Sequence, residues 1–274
     1  MIDLQKVIQI AIQAGQSTLP FFYHGFSQDV TVKSDDSPVT KADLASNAII
    51  VEQLQKLNAA IPVLSEENNA PSCEVRQTWH RHWLVDPLDG TRGFIARNAE
   101  FTVNIALIEN HQPILGVLYS PVNQHCFYAE KNCGAFLITG ENATPIALKS
   151  ASVSHSLRFV CGRFDRSMQL KEKLHELFSS VTMMQMNSAI KFGIIAQGLG
   201  DLYVRLGKTS EWDTAAGQCI LEEAGGLVVD FQGNRLQYNT QSSLINPYFL
   251  AIGDRSQCAR YVEWIHKIVE KNYE

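Results

Sequence analysis

The sequence predicts an α/β protein, a layered α-β-α-β-α sandwich in which two sheets are separated and flanked by helices. Three observations carry that expectation. The chain opens on an amphipathic helical stripe, a run of short apolar segments with short links follows, and strand-like and helix-like segments alternate in the second half. The halves meet near residue 150: an N-terminal half, 1–150, with an antiparallel sheet, and a C-terminal half, 151–274, with a mixed or parallel one.

Leu4, Val7, Ile8, Ala11 and Ile12 fall on one face of the first helix, and Gly15 marks its end or a weak spot. A polar stretch, Ser27 to Pro38, follows. A second helix starts at Thr40, with Ala45, Ala48, Ile49 and Leu54 towards its buried side. Ile61 to Ser65 and Trp83 to Val85 then read as short buried strands. Residues 101–109 and 113–121 are β-rich and joined by Asn110-His111-Gln112, as in a hairpin. Cys126 to Ala129 and Ala135 to Ile138 add two more strands, and short links between neighbours imply antiparallel pairing. Beyond 150 the order is strand (158–161), helix (165–178), strand (181–186), helix (188–199), strand (202–206), helix (213–224), and strands at 227–231 and 249–252. A terminal helix carries Val262, Ile265 and Val269. Such alternation favours helical crossovers between parallel strands.

Composition narrows the function. The 274 residues are 45% hydrophobic and 19% charged with net charge −5, ordinary for a globular chain. Lys and Arg form no basic run, so nucleic acid is not an expected partner. Six scattered cysteines form no C-x-x-C pair, which speaks against a zinc ribbon or redox motif and for reduced thiols in the cytoplasm. Asp3, Gln5, Lys6, Gln9 and Gln13 interrupt the N-terminal segment, which therefore does not read as a signal peptide. No apolar run approaches the roughly 18–20 residues of a membrane span. Nothing in the sequence sets the oligomeric state.

Acidic residues carry the chemical signal. Asp86-Pro87-Leu88-Asp89-Gly90-Thr91 follows the apolar run Trp83-Leu84-Val85, which places two aspartates just past a buried strand. Gly90 and Thr91 can bring backbone N–H groups to a phosphate. Taken alone, the segment is equally an Asx-type turn. Glu66-Glu67 ends another strand-like run, and alone it reads as solvated surface. Asp213, in Glu211-Trp212-Asp213-Thr214-Ala215-Ala216, is placed to cap a helix. Considered together, Glu66, Asp86, Asp89 and Asp213 are hard oxygen ligands without histidine or thiolate, a set that selects Mg²⁺ or Mn²⁺ over zinc. Two ions about 3.5–4 Å apart are a common apparatus for phosphate displacement, one activating water and the other stabilising the leaving oxygen. Thr40 and Asp43 fit a capping box, and the functional alternative makes Asp43 a proton relay with Thr91. His80-Arg81-His82 lacks a third soft ligand and reads as ordinary strand or loop histidines.

DPLDGT (86–91), the upstream SEE and the downstream WDTAAGQCILEEAGG resemble the inositol monophosphatase superfamily of lithium-sensitive, magnesium-dependent phosphatases. Within it, SPVTKAD (37–43), PVLSEEN (62–68), the run from Glu74 to Val122 and EWDTAAG (211–217) look most like the 3′(2′),5′-bisphosphate nucleotidases. That resemblance implies one Mg²⁺ at Glu66, Asp86 and the Leu88 carbonyl, and a second at Asp86, Asp89 and Asp213. Glu67 would help hold a looser third ion, with Mn²⁺ able to substitute. Asp43 and Thr91 resemble the pair that orients or deprotonates the attacking water, with Glu66 helping to hold it. Leu88, Asp89, Gly90 and Thr91, with Glu66 and Asp213, would meet the phosphate. Ser188, Lys191 and Arg205 occupy positions that bind nucleotide in relatives. Read from residue type alone, Ser188 is equally a helix cap and Lys191 a solvated side chain. Arg205 interrupts a buried-looking strand, and an anionic partner would satisfy its charge. Bacterial members commonly carry Lys-Glu after DGT, whereas Arg92-Gly93 stand here.

The implied activity is hydrolysis of adenosine 3′,5′-bisphosphate, or its sulfated form, to the 5′-phosphate, in the cytoplasm or peripherally at the inner membrane's cytoplasmic face. Inositol monophosphatase or fructose-1,6-bisphosphatase activity is the nearest alternative. A metal- and nucleotide-binding sensor without catalysis is the alternative from another class.

Overall fold

The N-terminal apolar stripe folds as α1 (Leu4–His24), which continues well past Gly15. That glycine ends nothing. A Cβ there would stand 2.5 Å from the Tyr119 ring, so the missing side chain lets the helix lie close on the sheet. The chain is described by a computed structural model over residues 2–24, 30–32, 38–140, 142–146, 156–163 and 170–273. Most of the polar stretch 27–38 and the expected boundary near 150 lie outside the described residues, as do 164–169 of the helix expected over 165–178. The described part of the polar stretch includes β1 (Val30–Val32), paired antiparallel with β2 (Pro38–Thr40).

Next comes α2 (Lys41–Leu57), with Thr40 as its N-cap. Its inner face differs from the expected one. Ala42, Asp43, Ser46, Asn47, Ile50 and Leu54 are buried, while Ala48 is exposed and Ala45 and Ile49 are half-buried. The start of that face is polar because it backs onto other polar groups. Ser46 Oγ donates to the Pro87 carbonyl at 2.7 Å, and Asn47 Oδ1 accepts from Ser65 Oγ at 2.7 Å. Counting apolar residues cannot detect a face of this kind.

The first sheet contains β3 (Val63–Ser65), β4 (Arg81–Asp89), β5 (Thr102–Glu109), β6 (Gln112–Ser120), β7 (His125–Glu130), β8 (Ala135–Thr139) and β9 (Asn142–Ile146), hydrogen-bonded in that order. The strand β9 carries no clear apolar pattern and was not expected. The β3–β4 pair is parallel, and the other neighbours are antiparallel. Short helices α3 (Cys73–Gln77) and α4 (Thr91–Ile95) precede and follow β4.

The second sheet contains β10 (Ser156–Cys161), β11 (Ser180–Gln185), β12 (Leu202–Arg205), β13 (Leu227–Asp230) and β14 (Phe249–Ile252), in the order β11-β10-β12-β14-β13. β10 runs parallel to β11 and β12, whereas β14 is antiparallel to both its neighbours. Of the helix expected at 165–178, the described helical part is α5 (Lys171–Leu174). Further helices are α6 (Ile190–Ala196), α7 (Ala215–Glu223) and α8 (Cys258–Tyr273).

Alternation along the strands builds the layers. Trp83, Val85, Val103, Ile105 and Val117 face α1 and α2 in one core. Leu84, Ala106, Leu118 and Phe127 face the other way, meeting α6, α7 and residues Tyr203, Val228 and Phe249 of the second sheet. Leu174 and Trp264 join Phe159, Val204 and Leu250 on the far side of that sheet. The order of layers is α-β-α-β-α, as expected. No helix among the described residues is long and apolar enough to cross a membrane.

Candidate active site

The site begins on β4. The strand was expected to stop at Val85, but its pairing continues to Asp89 through an irregularity between Asp86 and Asp89. Asp86 has the parity of Leu84 and faces the middle layer, where it is 2% exposed. Pro87 and the irregular register then re-aim the strand so that Asp89 reaches the same space. Gly90 follows with φ +95°, a conformation that suits glycine, and α4 starts at Thr91.

Asp213 arrives from the second half. It is the last residue of a 3-10 turn, Glu211–Asp213, and its Oδ2 accepts the Ser210 N–H at 2.9 Å. It therefore does not cap the following helix, as the sequence suggested; Thr214 occupies that position. One carboxylate oxygen each from Asp86, Asp89 and Asp213 lie within 4.8 Å of one another. Glu66, at the end of β3, lines the same cleft.

Hydrogen bonds fix each carboxylate. Asp86 Oδ1 accepts the Leu88 N–H at 3.0 Å. Asp89 Oδ2 accepts from Ala189 N at 2.5 Å and Asn104 Nδ2 at 3.3 Å. Burial pushes the Asp86 carboxyl well above the usual range, and Glu66, Asp89 and Asp213 push it further. Burial, with Asp89 and Glu66 beside it, pushes Asp213 up to about 8. Asp89 is also raised by burial, against the opposing pull of Lys191. The cluster is therefore strained when it is fully ionised. Its oxygen-only donor set fits a hard divalent cation, which would offset the mutual repulsion.

Asp43 stands behind this cluster. Burial raises its carboxyl, and Thr40 opposes the shift. Its Oδ2 accepts from Thr40 N at 2.8 Å and Thr40 Oγ1 at 2.5 Å, which is the capping box read from the sequence. Its Oδ1 lies 3.3 Å from Thr91 Oγ1, which also reaches the Leu88 carbonyl at 3.2 Å. Capping and contact with Thr91 thus coexist, one on each carboxylate oxygen.

The cleft has a volume of about 370 Å³ and is also lined by Leu88, Gly90, Ser188, Lys191 and Arg205. Ser188 stands one residue before the cap position of α6, which Ala189 takes; it has φ +54°, and its Oγ accepts the Ile190 N–H at 3.4 Å. Lys191 is buried rather than solvated: Nζ donates to the Ser188 carbonyl at 2.5 Å and stands 5.1 Å above the Tyr203 ring. Arg205 ends β12 half-buried and donates to the Lys208 carbonyl at 3.1 Å. Glu67 is half-buried and does not line the cleft. Of the histidines read as ordinary, His82 is buried on β4 beside Trp79.

Several lining residues carried no signal in the sequence. Arg163, Asn187 and Lys208 belong to loops. Asn104 could have been found, because it pairs directly opposite Asp86 on β5 and must share its face.

The model of the inositol monophosphatase family matches residues 3–269. The chain is similar to 3′(2′),5′-bisphosphate nucleotidase CysQ of Salmonella typhimurium, with 44% identity over 253 residues, covering 90% of this chain and 98% of that protein. Its similarity to CysQ of Escherichia coli (strain K12) is 42% over 253 residues, with the same coverage. A crystal structure of CysQ from Bacteroides thetaiotaomicron has a TM-score of 0.79 at 33% identity, covering 91% of this chain and 96% of that one. A Thermotoga maritima IMPase, with a TM-score of 0.81 at 24% identity over 99% of both chains, shares the fold. Because the match takes in both sheets and every acidic segment of the cleft, the chain belongs to the inositol monophosphatase family.

Proposed function

We propose that this protein is a magnesium-dependent 3′(2′),5′-bisphosphate nucleotidase that releases the 3′-phosphate of adenosine 3′,5′-bisphosphate. One observation carries the proposal. Carboxylates from three separate segments converge on one cleft whose walls also hold Lys191 and Arg205. The likeness to CysQ relatives supports the substrate.

Glu66, Asp86 and the Leu88 carbonyl would hold one Mg²⁺, and Asp86, Asp89 and Asp213 a second. When bound, these ions would supply a water of lowered pKa and charge compensation for the leaving oxygen. The chain's own residues do the rest. Thr91 donates its hydroxyl proton to Asp43 Oδ1, which leaves the Thr91 oxygen able to accept from a water in the cleft. Asp43 Oδ2 is already engaged by Thr40, so Asp43 can answer Thr91 only through Oδ1. Lys191 and Arg205 offer positive charge to the second phosphate, and Ser188 a hydroxyl. The two proposed halves, 1–150 and 151–274, each supply part of the site. We place the reaction in the cytoplasm, where six unbridged cysteines persist.

Phosphate release from adenosine 3′,5′-bisphosphate and from inositol phosphate, with and without Mg²⁺ and with lithium titrated, tests the proposal. The expected result is Mg²⁺-dependent, lithium-inhibited release favouring the nucleotide. Equal turnover of both substrates would reject the substrate assignment, and absence of Mg²⁺-dependent release would reject the enzyme.

A further inference from the structure

Asp213 is carried by a 3-10 turn whose back is gripped by a buried charged network that the proposed mechanism leaves unused. Glu211 opens the turn and is 4% exposed. Its two carboxylate oxygens accept the Asn239 backbone N–H at 2.9 and 2.8 Å. Asn239 is wholly buried and left-handed, with φ +57°. Its side chain turns away from Glu211 towards Arg76: Oδ1 accepts from Arg76 Nη1 at 2.6 Å, and Nδ2 donates to the Arg76 carbonyl at 2.7 Å. Arg76, on α3, is 2% exposed and also donates to the carbonyls of Pro71 and Ser242.

A buried arginine and a buried glutamate are costly to desolvate, and an apolar core of equal volume would hold the fold as well or better. Neutral contacts already secure the turn's backbone. Glu211 N–H donates to the Leu244 carbonyl at 2.8 Å, and Asn246 Nδ2 to the Ser210 carbonyl at 2.6 Å. The charged network adds a connection to α3, which lies in the chain between Glu66 and Asp86. We infer that Arg76, Asn239 and Glu211 form a positioning clamp that fixes Asp213 relative to the acids of the first half and thereby sets divalent-cation affinity. None of the three lines the cleft. They are positioning residues that act through Asp213, as partners behind metal ligands do elsewhere. The inference rests on the proposed metal site.

The test uses the full chain, with Mg²⁺ binding followed by calorimetry and folding by thermal melts in chelator. Removing Arg76 alone would strand a buried carboxylate, so the first variant is R76M/E211Q, which deletes both charges. The second is Asn239→Gly, which suits the left-handed backbone and keeps its N–H on Glu211 but severs the side-chain link to Arg76. Both variants are expected to melt cooperatively and to bind Mg²⁺ at least tenfold more weakly. Half-saturation by Mg²⁺ in phosphate release should rise in parallel, with kcat at saturating Mg²⁺ within about threefold of the parent. A loss of kcat that saturating Mg²⁺ does not restore would indicate a merely structural role and overturn the clamp. Parental Mg²⁺ affinity in either folded variant would overturn the clamp while leaving the metal site standing. Failure of the parent itself to bind Mg²⁺ would overturn both.

Discussion

Thr91 Oγ1 stands 3.3 Å from Asp43 Oδ1, although 48 residues separate them in the chain. Asp43 is held from its other side by Thr40, so one carboxylate caps a helix and meets a cleft hydroxyl at once. In Asp43→Asn the remaining oxygen can still accept from Thr40, and the stability loss should stay near or below about 1 kcal/mol. Turnover should fall by roughly 10²–10⁴, with half-saturation by Mg²⁺ unchanged. Near-parental kcat would remove Asp43 from the reaction.

Asp89→Asn should separate folding from function. Deleting one charge from the crowded cluster relieves repulsion on Asp86 and Asp213. The variant should melt in chelator at or above the parental temperature. Its turnover should drop by several orders of magnitude, and it should lose the stabilisation that saturating Mg²⁺ gives the parent, about 2.7 kcal/mol at a hundredfold excess over Kd. Melts and turnover on one preparation check both statements.

The cluster also fixes a pH dependence. Asp213 is pushed up to about 8 in the folded chain, against 3.8 ordinarily. Between those values the folded state binds more protons than the unfolded state. The stability contributed by the protonated carboxyl is complete below about 4 and is lost as pH rises through about 8. Melting temperature in chelator should therefore fall between pH 6.5 and about 8, above the range in which His82 acts in the opposite sense, and saturating Mg²⁺ should flatten the slope. A chelator profile that rises with pH through that window would contradict the shift.

His82 gives the opposite sign. Burial, then His111 and Arg76, lowers its ring to about 4, and neither ring nitrogen has a hydrogen-bond partner among the described residues. Protonation of the unfolded chain below its ordinary 6.5 costs the folded state stability as pH falls towards 4. His82→Leu should remove that loss, raising stability near pH 5 by about 2 kcal/mol relative to the parent and leaving turnover unchanged. Denaturant melts at several pH values measure it.

Gly116 on β6 controls how closely α7 lies on the first sheet. A Cβ there would stand 2.5 Å from the Ala216 carbonyl oxygen. Gly116→Ala should cost about 1–3 kcal/mol by pushing the helix outward. Because α7 follows Asp213 directly, the same variant should bind Mg²⁺ more weakly. Unchanged affinity with lowered stability would show that the turn carrying Asp213 is held independently of the helix.

The sequence alone determined the sandwich, because strand and helix signals are local and 83–129 is a succession of apolar, β-rich runs joined by short links. It also marked Glu66, Asp86, Asp89 and Asp213 as a hard-cation set, because together they are oxygen donors without histidine or thiolate, although each alone has an ordinary reading as a turn, surface or cap residue. Tertiary structure decided which oxygens meet. Asp86, Asp89 and Asp213 fall within 4.8 Å of one another only because β4 continues through an irregular register and a 3-10 turn from the other half folds against it. It also decided that Lys191 is buried, that Ser188 is left-handed and that the start of α2 turns polar residues inward. Those outcomes depend on what packs opposite each residue, as Pro87 does behind Ser46 from 41 positions away, and a local pattern carries no record of such a neighbour.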